Sequence, residues 1–67
     1  MNASKIKAYM REQIESRPKY FDTFDNGEIN MTLLAEDAAQ RFNLYTDDEI
    51  PEDVFEIALE VTEEYEG

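Results

Sequence analysis

The chain has 67 residues, of which 17 are acidic and six are basic, so its formal net charge at pH 7 is −11. This charge exceeds the magnitude of roughly 2–8 that keeps a small domain in solution, and its field repels nucleic acid and attracts cationic surfaces. The absence of cysteine and histidine excludes disulfides, structural zinc sites and enzymes that depend on either side chain.

The length predicts one small helical domain, residues 1–67. At about this size folding buries only about 60% of the chain's surface, so the core is efficient or is shared with a second copy. Charged residues follow Met1 almost at once and no run of 18 apolar residues occurs. We therefore expect a cytoplasmic protein with no signal peptide and no membrane partner.

Apolar residues at helical spacing predict a first helix over residues 3–16. Ser4 is the expected N-cap, and Pro18 ends the helix because it disfavours helical angles at Arg17. One face carries the apolar residues Ile6, Tyr9, Met10 and Ile14. The pattern is that of an amphipathic helix with one buried face.

The region 19–31 is the least determined part of the sequence. Asn26-Gly27 is a strong signal for a tight hairpin turn, and the alternatives are an extended loop or a short fourth helix. The same region partly resembles a calcium-binding loop, but Phe24 and Leu33 stand where oxygen ligands are required. We predict no metal site here.

Two more helices are predicted, over residues 32–43 and 51–65. Thr32 is the expected N-cap of the second helix and Asn43 its stop, and Pro51 suits the first position of the third. The apolar face of the second helix comprises Leu34, Ala35, Ala38, Ala39 and Phe42. The sequence therefore predicts a mainly α fold: a compact three-helix domain, with a short β-hairpin or an extended loop between the first two helices.

The third predicted helix has an unusually wide apolar surface. Val54, Ile57, Ala58, Val61 and Tyr65 form one face, which Phe55 and Leu59 widen. Either this helix is central to the fold, or Phe55 and Leu59 face a second molecule. The remaining arc carries Glu52, Asp53, Glu56, Glu60, Glu63 and Glu64.

These six acidic residues are the best candidates for a functional surface. They lie about 3.6 Å apart along the helix axis on average, close to the roughly 3.4 Å per phosphate of a DNA strand. We predict a non-enzymatic module that binds a basic protein partner through this face. Inhibition of that partner and mimicry of nucleic acid are two roles consistent with such binding. Phe55 and Leu59 are the predicted apolar anchors. We identify no catalytic residue, cofactor site or metal site.

Two alternatives stay open. In the first, the third helix forms the interface of a homodimer, and its acidic residues only keep the protein in solution. In the second, a helix-turn-helix-like protein binds nucleic acid through the basic residues Lys5, Lys7 and Arg11. Direct binding of nucleic acid is disfavoured because residues 20–67 contain one cation and fifteen acidic residues. The first helix, with its basic residues, is equally suited to be an internal counterion for that acidic body.

Overall fold

The computed structural model describes residues 2–21 and 28–66 and confirms the mainly helical class. The four helices are α1 (Ala3–Ser16), α2 (Pro18–Phe21), α3 (Met31–Phe42) and α4 (Glu52–Glu66). The first predicted helix has the observed boundaries. The other two predicted helices are each displaced by a single residue.

Asparagine side chains cap the N-termini of α1 and α3, so the predicted caps Ser4 and Thr32 are wrong. The Oδ1 atom of Asn2 accepts a hydrogen bond from the backbone N–H of Lys5 at 3.1 Å. Asn30 caps α3 in the same way, accepting from the backbone N–H of Leu33 at 3.0 Å. An N-cap residue must have extended backbone angles, which both asparagines adopt, whereas Ser4 and Thr32 already lie within the helices.

Pro51 also differs from its predicted position, because it immediately precedes α4 instead of being its first residue. Its carbonyl oxygen accepts a hydrogen bond from the backbone N–H of Val54 at 3.0 Å. The proline therefore still fixes the start of the helix. Glu52 and Asp53 occupy the first turn of α4, where negative charge interacts favourably with the helix dipole.

The connection after α1 contains the short helix that the sequence left open. Arg17 has non-helical angles, as expected for a residue before proline, and α2 follows at once. Phe21 at the end of α2 is fully buried, and its carbonyl oxygen accepts a hydrogen bond from the backbone N–H of Asn30 at 2.6 Å. The predicted Asn26-Gly27 turn lies outside the described residues.

The core forms where α4 packs against both α1 and α3. α3 contributes small residues, which allow its backbone to approach α4 closely. The larger buried side chains come from all three long helices and from α2. The core cluster consists of Ile6, Met10, Ile14, Phe21, Leu34, Ala35, Ala38, Val54, Ile57, Ala58 and Val61. α4 is thus central to the fold, the first of the two explanations for its wide apolar surface.

The connection from α3 to α4 contains two sharp reversals of the backbone. Asn43 ends α3 with a left-handed φ of 55°, and the backbone N–H groups of Asn43 and Leu44 donate to the carbonyl of Ala39. Thr46 and Glu49 then form a pair of backbone hydrogen bonds at 2.8 and 2.9 Å. Asp47 and Asp48 between them have φ of 51° and 64°, both positive as in a type I′ turn.

The left-handed conformation of Asn43 leads to a test of the helix stop. Replacement by valine should lower the free energy of unfolding by about 1–2 kcal/mol, because a β-branched residue tolerates positive φ poorly. Asn43→Gly should leave it unchanged or raise it slightly. Urea denaturation of both variants measures the difference, and equal stabilities would contradict a left-handed residue 43.

Candidate functional site

Two ion pairs connect the basic side of α1 to the acidic side of α4. Lys7 Nζ lies 2.6 Å from Glu60 Oε2. One turn further along, Arg11 Nε and Nη2 lie 3.1 and 2.9 Å from Glu64 Oε1. Both pairs join residues 53 positions apart, so α1 and α4 run in the same direction where they meet. We call this contact between α1 and α4 the seam.

A third polar contact continues the seam beyond the two ion pairs. The hydroxyl group of Tyr65 donates a hydrogen bond to Glu15 Oε2 at 3.1 Å. Desolvation, followed by this hydrogen bond, raises the pKa of the Tyr65 phenol. The hydrogen bonds to Glu64 raise the pKa of the Arg11 guanidinium.

The seam pairs some of the predicted partner-binding residues with residues of the same chain. Two of the six acidic residues, Glu60 and Glu64, neutralise cations of the same chain. The predicted nucleic-acid-binding residues Lys7 and Arg11 are their partners, which is the arrangement expected of an internal counterion. Of that basic group, Lys5 has no side-chain ion pair within residues 2–21 and 28–66.

Three acidic residues without a partner among the described residues lie on the solvent side of α4. Glu52, Glu56, Leu59 and Glu63 follow one another at intervals of four, three and four residues, which places them in one line along the helix. We call this line the acidic stripe. Leu59 is 46% exposed at its centre. All three glutamates are exposed, and their side chains have no ion pair or hydrogen bond in the described part of the chain.

The two remaining predicted site residues lie on either side of the stripe. Asp53 is exposed and seven positions before Glu60, so it lies on the side of α4 that faces α1. Phe55 is partly buried and packs against the core. The predicted apolar anchors are therefore not equivalent, because Leu59 is presented to solvent and Phe55 mainly supports the fold.

Phe55 also lines an open groove between α3, the connection 43–51 and α4. The groove encloses about 600 Å³. Its lining residues are Glu36, Gln40, Tyr45, Asp48, Glu49, Ile50 and Phe55. The sequence did not predict this groove, because six of its lining residues belong to a predicted helix surface or to the predicted connector between helices. The signal available in the sequence was an acidic run, Asp47-Asp48-Glu49, flanked by the apolar residues Tyr45 and Ile50.

A second polar cluster, around Asp37, ties α1 to α3. The Tyr9 hydroxyl donates a hydrogen bond to Asp37 Oδ2 at 2.8 Å, and Arg17 Nη2 lies 3.2 Å from Oδ1. The Arg17 guanidinium also stacks over the Tyr20 ring, 4.7 Å from its centroid. These contacts are structural, because every polar group involved already has a partner on the same chain.

The described residues lack two other kinds of site. Within them, no cluster of three or more acidic side chains is arranged to hold a metal ion. No helix in the described ranges combines the length and the apolar character required to cross a bilayer.

The ion pair between Lys7 and Glu60 can be tested by charge reversal. Glu60→Lys should lower the free energy of unfolding by about 1 kcal/mol, since it removes a surface ion pair and places two cations together. Glu56→Lys on the solvent side should have less effect, and Lys7→Glu added to Glu60→Lys should restore stability. Thermal unfolding at low salt measures these differences. Equal effects of Glu60→Lys and Glu56→Lys would contradict the ion pair between Lys7 and Glu60.

The Tyr9 phenol predicts a pH dependence of stability. Burial, then the hydrogen bond to Asp37, raises its pKa above the ordinary 10.0. Because the folded-state pKa is the higher one, this contribution is complete below about pH 10 and is lost as pH rises through the folded-state value.

Tyr9→Phe should therefore cost about 0.5–1.5 kcal/mol at neutral pH and make the alkaline decline shallower. Urea denaturation between neutral and strongly alkaline pH measures both effects. Tyr45→Phe is the matched control, because the exposed Tyr45 hydroxyl has no hydrogen bond among the described residues. An equal effect of the two variants would contradict the role of Tyr9.

Comparisons with protein-family models, with curated proteins and with solved structures find no match for this chain. Its function is therefore inferred from its own charges, exposed side chains and packing. The acidic stripe and the groove beside Phe55 each combine apolar side chains with carboxylates that have no partner in the described part of the chain.

Proposed function

We propose that this protein is a cytoplasmic, non-enzymatic interaction module that binds a basic protein partner through the acidic stripe of α4. The observation that carries the proposal is the position of Leu59, a half-exposed apolar side chain among carboxylates without internal partners. Removal of Leu59 from water supplies affinity, and the surrounding charges select a cationic surface.

The overall charge supports the same kind of partner. A net charge of −11 attracts a basic protein over a distance of about one Debye length, roughly 8–10 Å at physiological salt. Charges at the edge of an interface chiefly increase the association rate and its dependence on salt. We therefore expect binding that weakens steeply as salt is added.

Nucleic-acid mimicry is the less favoured form of this proposal. Without Glu60 and Glu64, which pair with α1, the stripe carboxylates are separated by about 6 Å and about 10.5 Å along the helix axis. These intervals are irregular, and both exceed the average spacing of about 3.6 Å on which the comparison with a phosphate backbone was based. A general basic protein surface is the partner that this arrangement favours.

The two alternative functions are weaker for physical reasons. A symmetric dimer centred on Leu59 brings the same patch of each copy together, so the stripe glutamates of the two copies would repel each other. Nucleic acid would have to displace Glu60 and Glu64 from Lys7 and Arg11. The homodimer stays as an outcome of the mass measurement below.

The acidic stripe is tested with variants that remove equal charge. Glu52→Gln/Glu56→Gln should abolish capture of a basic protein from a lysate of source cells at about 0.1 M salt, where electrostatic attraction is still strong. Glu12→Gln/Asp47→Asn removes two charges elsewhere and should retain capture. Leu59→Ser should weaken it about tenfold, because the apolar anchor is lost.

Equal capture by both double variants would overturn the acidic stripe as the binding surface. Eluted proteins identified by mass spectrometry should be basic and should dissociate at about 0.5 M salt, where screening is strong. Circular dichroism establishes that each variant is folded. Mass measurement of the wild type and of Leu59→Ser tests the homodimer, which requires a dimer mass that the substitution abolishes.

A further inference from the structure

The groove beside Phe55 combines apolar surface with unpaired negative charge. Tyr45 is 40% exposed, and Ile50 and Phe55 are partly buried members of the core's edge. The other lining residues are Glu36, Gln40, Asp48 and Glu49. Three carboxylates and two aromatic rings thus line one concave surface, and no lining residue is a cation. We call it the acidic groove.

The carboxylates of the acidic groove are available to a ligand. Glu36, Asp48 and Glu49 are exposed, and none forms a side-chain ion pair or hydrogen bond within the described ranges. The nearest cation in the sequence, Arg41, instead lies over the rings of Tyr9 and Phe42 at 6.0 and 5.4 Å. The charge of the groove is therefore not compensated internally.

The backbone holds part of the groove in place before any partner arrives. Two hydrogen bonds between Thr46 and Glu49 close the turn that carries Asp48. On the opposite wall, Glu36 and Gln40 are four residues apart on α3 and so project from the same side of that helix. Preorganised groups lose less conformational entropy on binding, which favours affinity.

We infer that the acidic groove receives an arginine side chain from the basic partner, an inference that rests on the proposed function. The guanidinium group is planar and weakly hydrated, stacks on aromatic rings and donates paired hydrogen bonds to carboxylates. The groove offers both aromatic rings for stacking and carboxylates for hydrogen bonds. A lysine ammonium group is more strongly hydrated and gains less from the rings.

The size of the groove indicates that more than the arginine side chain enters it. Its volume of about 600 Å³ lies within the range of about 300–1,000 Å³ that is usual for ligand sites. The groove also adjoins the acidic stripe, because Phe55 and Leu59 are four residues apart on α4. A basic segment with its arginine in the groove can therefore extend over the stripe.

The experiment is an NMR titration of the full-length, ¹⁵N-labelled protein with three peptides. The probe is acetyl-Gly-Arg-Gly-Arg-Gly-amide, and the two control peptides replace arginine with lysine or with uncharged citrulline. We expect saturable shifts at Tyr45, Glu49, Ile50 and Phe55 with the arginine peptide. The lysine peptide should bind more weakly, and the citrulline peptide should produce no saturable shift.

Two double variants that each lose two charges locate the site. Glu36→Gln/Glu49→Gln should weaken binding of the arginine peptide about fivefold or more, whereas Glu52→Gln/Glu56→Gln should retain most of it. Tyr45→Ala removes a ring without changing charge and should also weaken binding. The amide spectrum of each variant reports whether it is folded.

Each contrary result overturns the inference. Absence of saturable shifts at the groove excludes an arginine site, and equal binding of the lysine peptide excludes selectivity for guanidinium. Equal losses in the two double variants indicate attraction to net charge alone. The proposed function is judged separately, because it fails only when Glu52→Gln/Glu56→Gln captures the basic partner as well as Glu12→Gln/Asp47→Asn does.

Discussion

The rest of this structure depends on the double role of α4, which supplies core residues and carries seven carboxylates within the same fifteen residues. A domain of this size has little core to spare, so α4 must pack against both α1 and α3. Packing against α1 brings a basic helix alongside an acidic one. Lys7 and Arg11 then neutralise Glu60 and Glu64, and the repulsion between acidic residues four apart is relieved on that side.

Packing divides the surface of α4 into three parts. Towards α1, Glu60 and Glu64 are paired with cations, and towards α3, Phe55 lines the acidic groove. Between these two sides, Glu52, Glu56 and Glu63 surround the half-exposed Leu59. Charge that is paired stabilises the fold, and charge that stays unpaired is available to a partner. The acidic stripe and the acidic groove follow from this division.

The turn between α3 and α4 combines two residues of positive φ with one wall of the acidic groove. Asp47 and Asp48 both adopt positive φ, which aspartate tolerates better than most residues but less readily than glycine does. An Asn-Gly pair would adopt this turn more easily. The aspartates also place two like charges side by side, and one of them lines the groove. A cationic ligand would offset that repulsion.

The sequence by itself determined the mainly α class, the three long helices and the ends of α1 and α3, because helical periodicity, Pro18 and Asn43 act over a few residues. It also identified six of the seven acidic residues of α4, all but Glu66, which lies beyond the predicted end of the helix. Only the tertiary structure decided which of them are free, since the pairing of Lys7 with Glu60 joins residues 53 positions apart. The same reason explains why Phe55 turned inward, why Asp37 binds Tyr9 and Arg17, and why the acidic groove could not be predicted. These depend on how helices pack against one another, and local spacing carries no information about that packing.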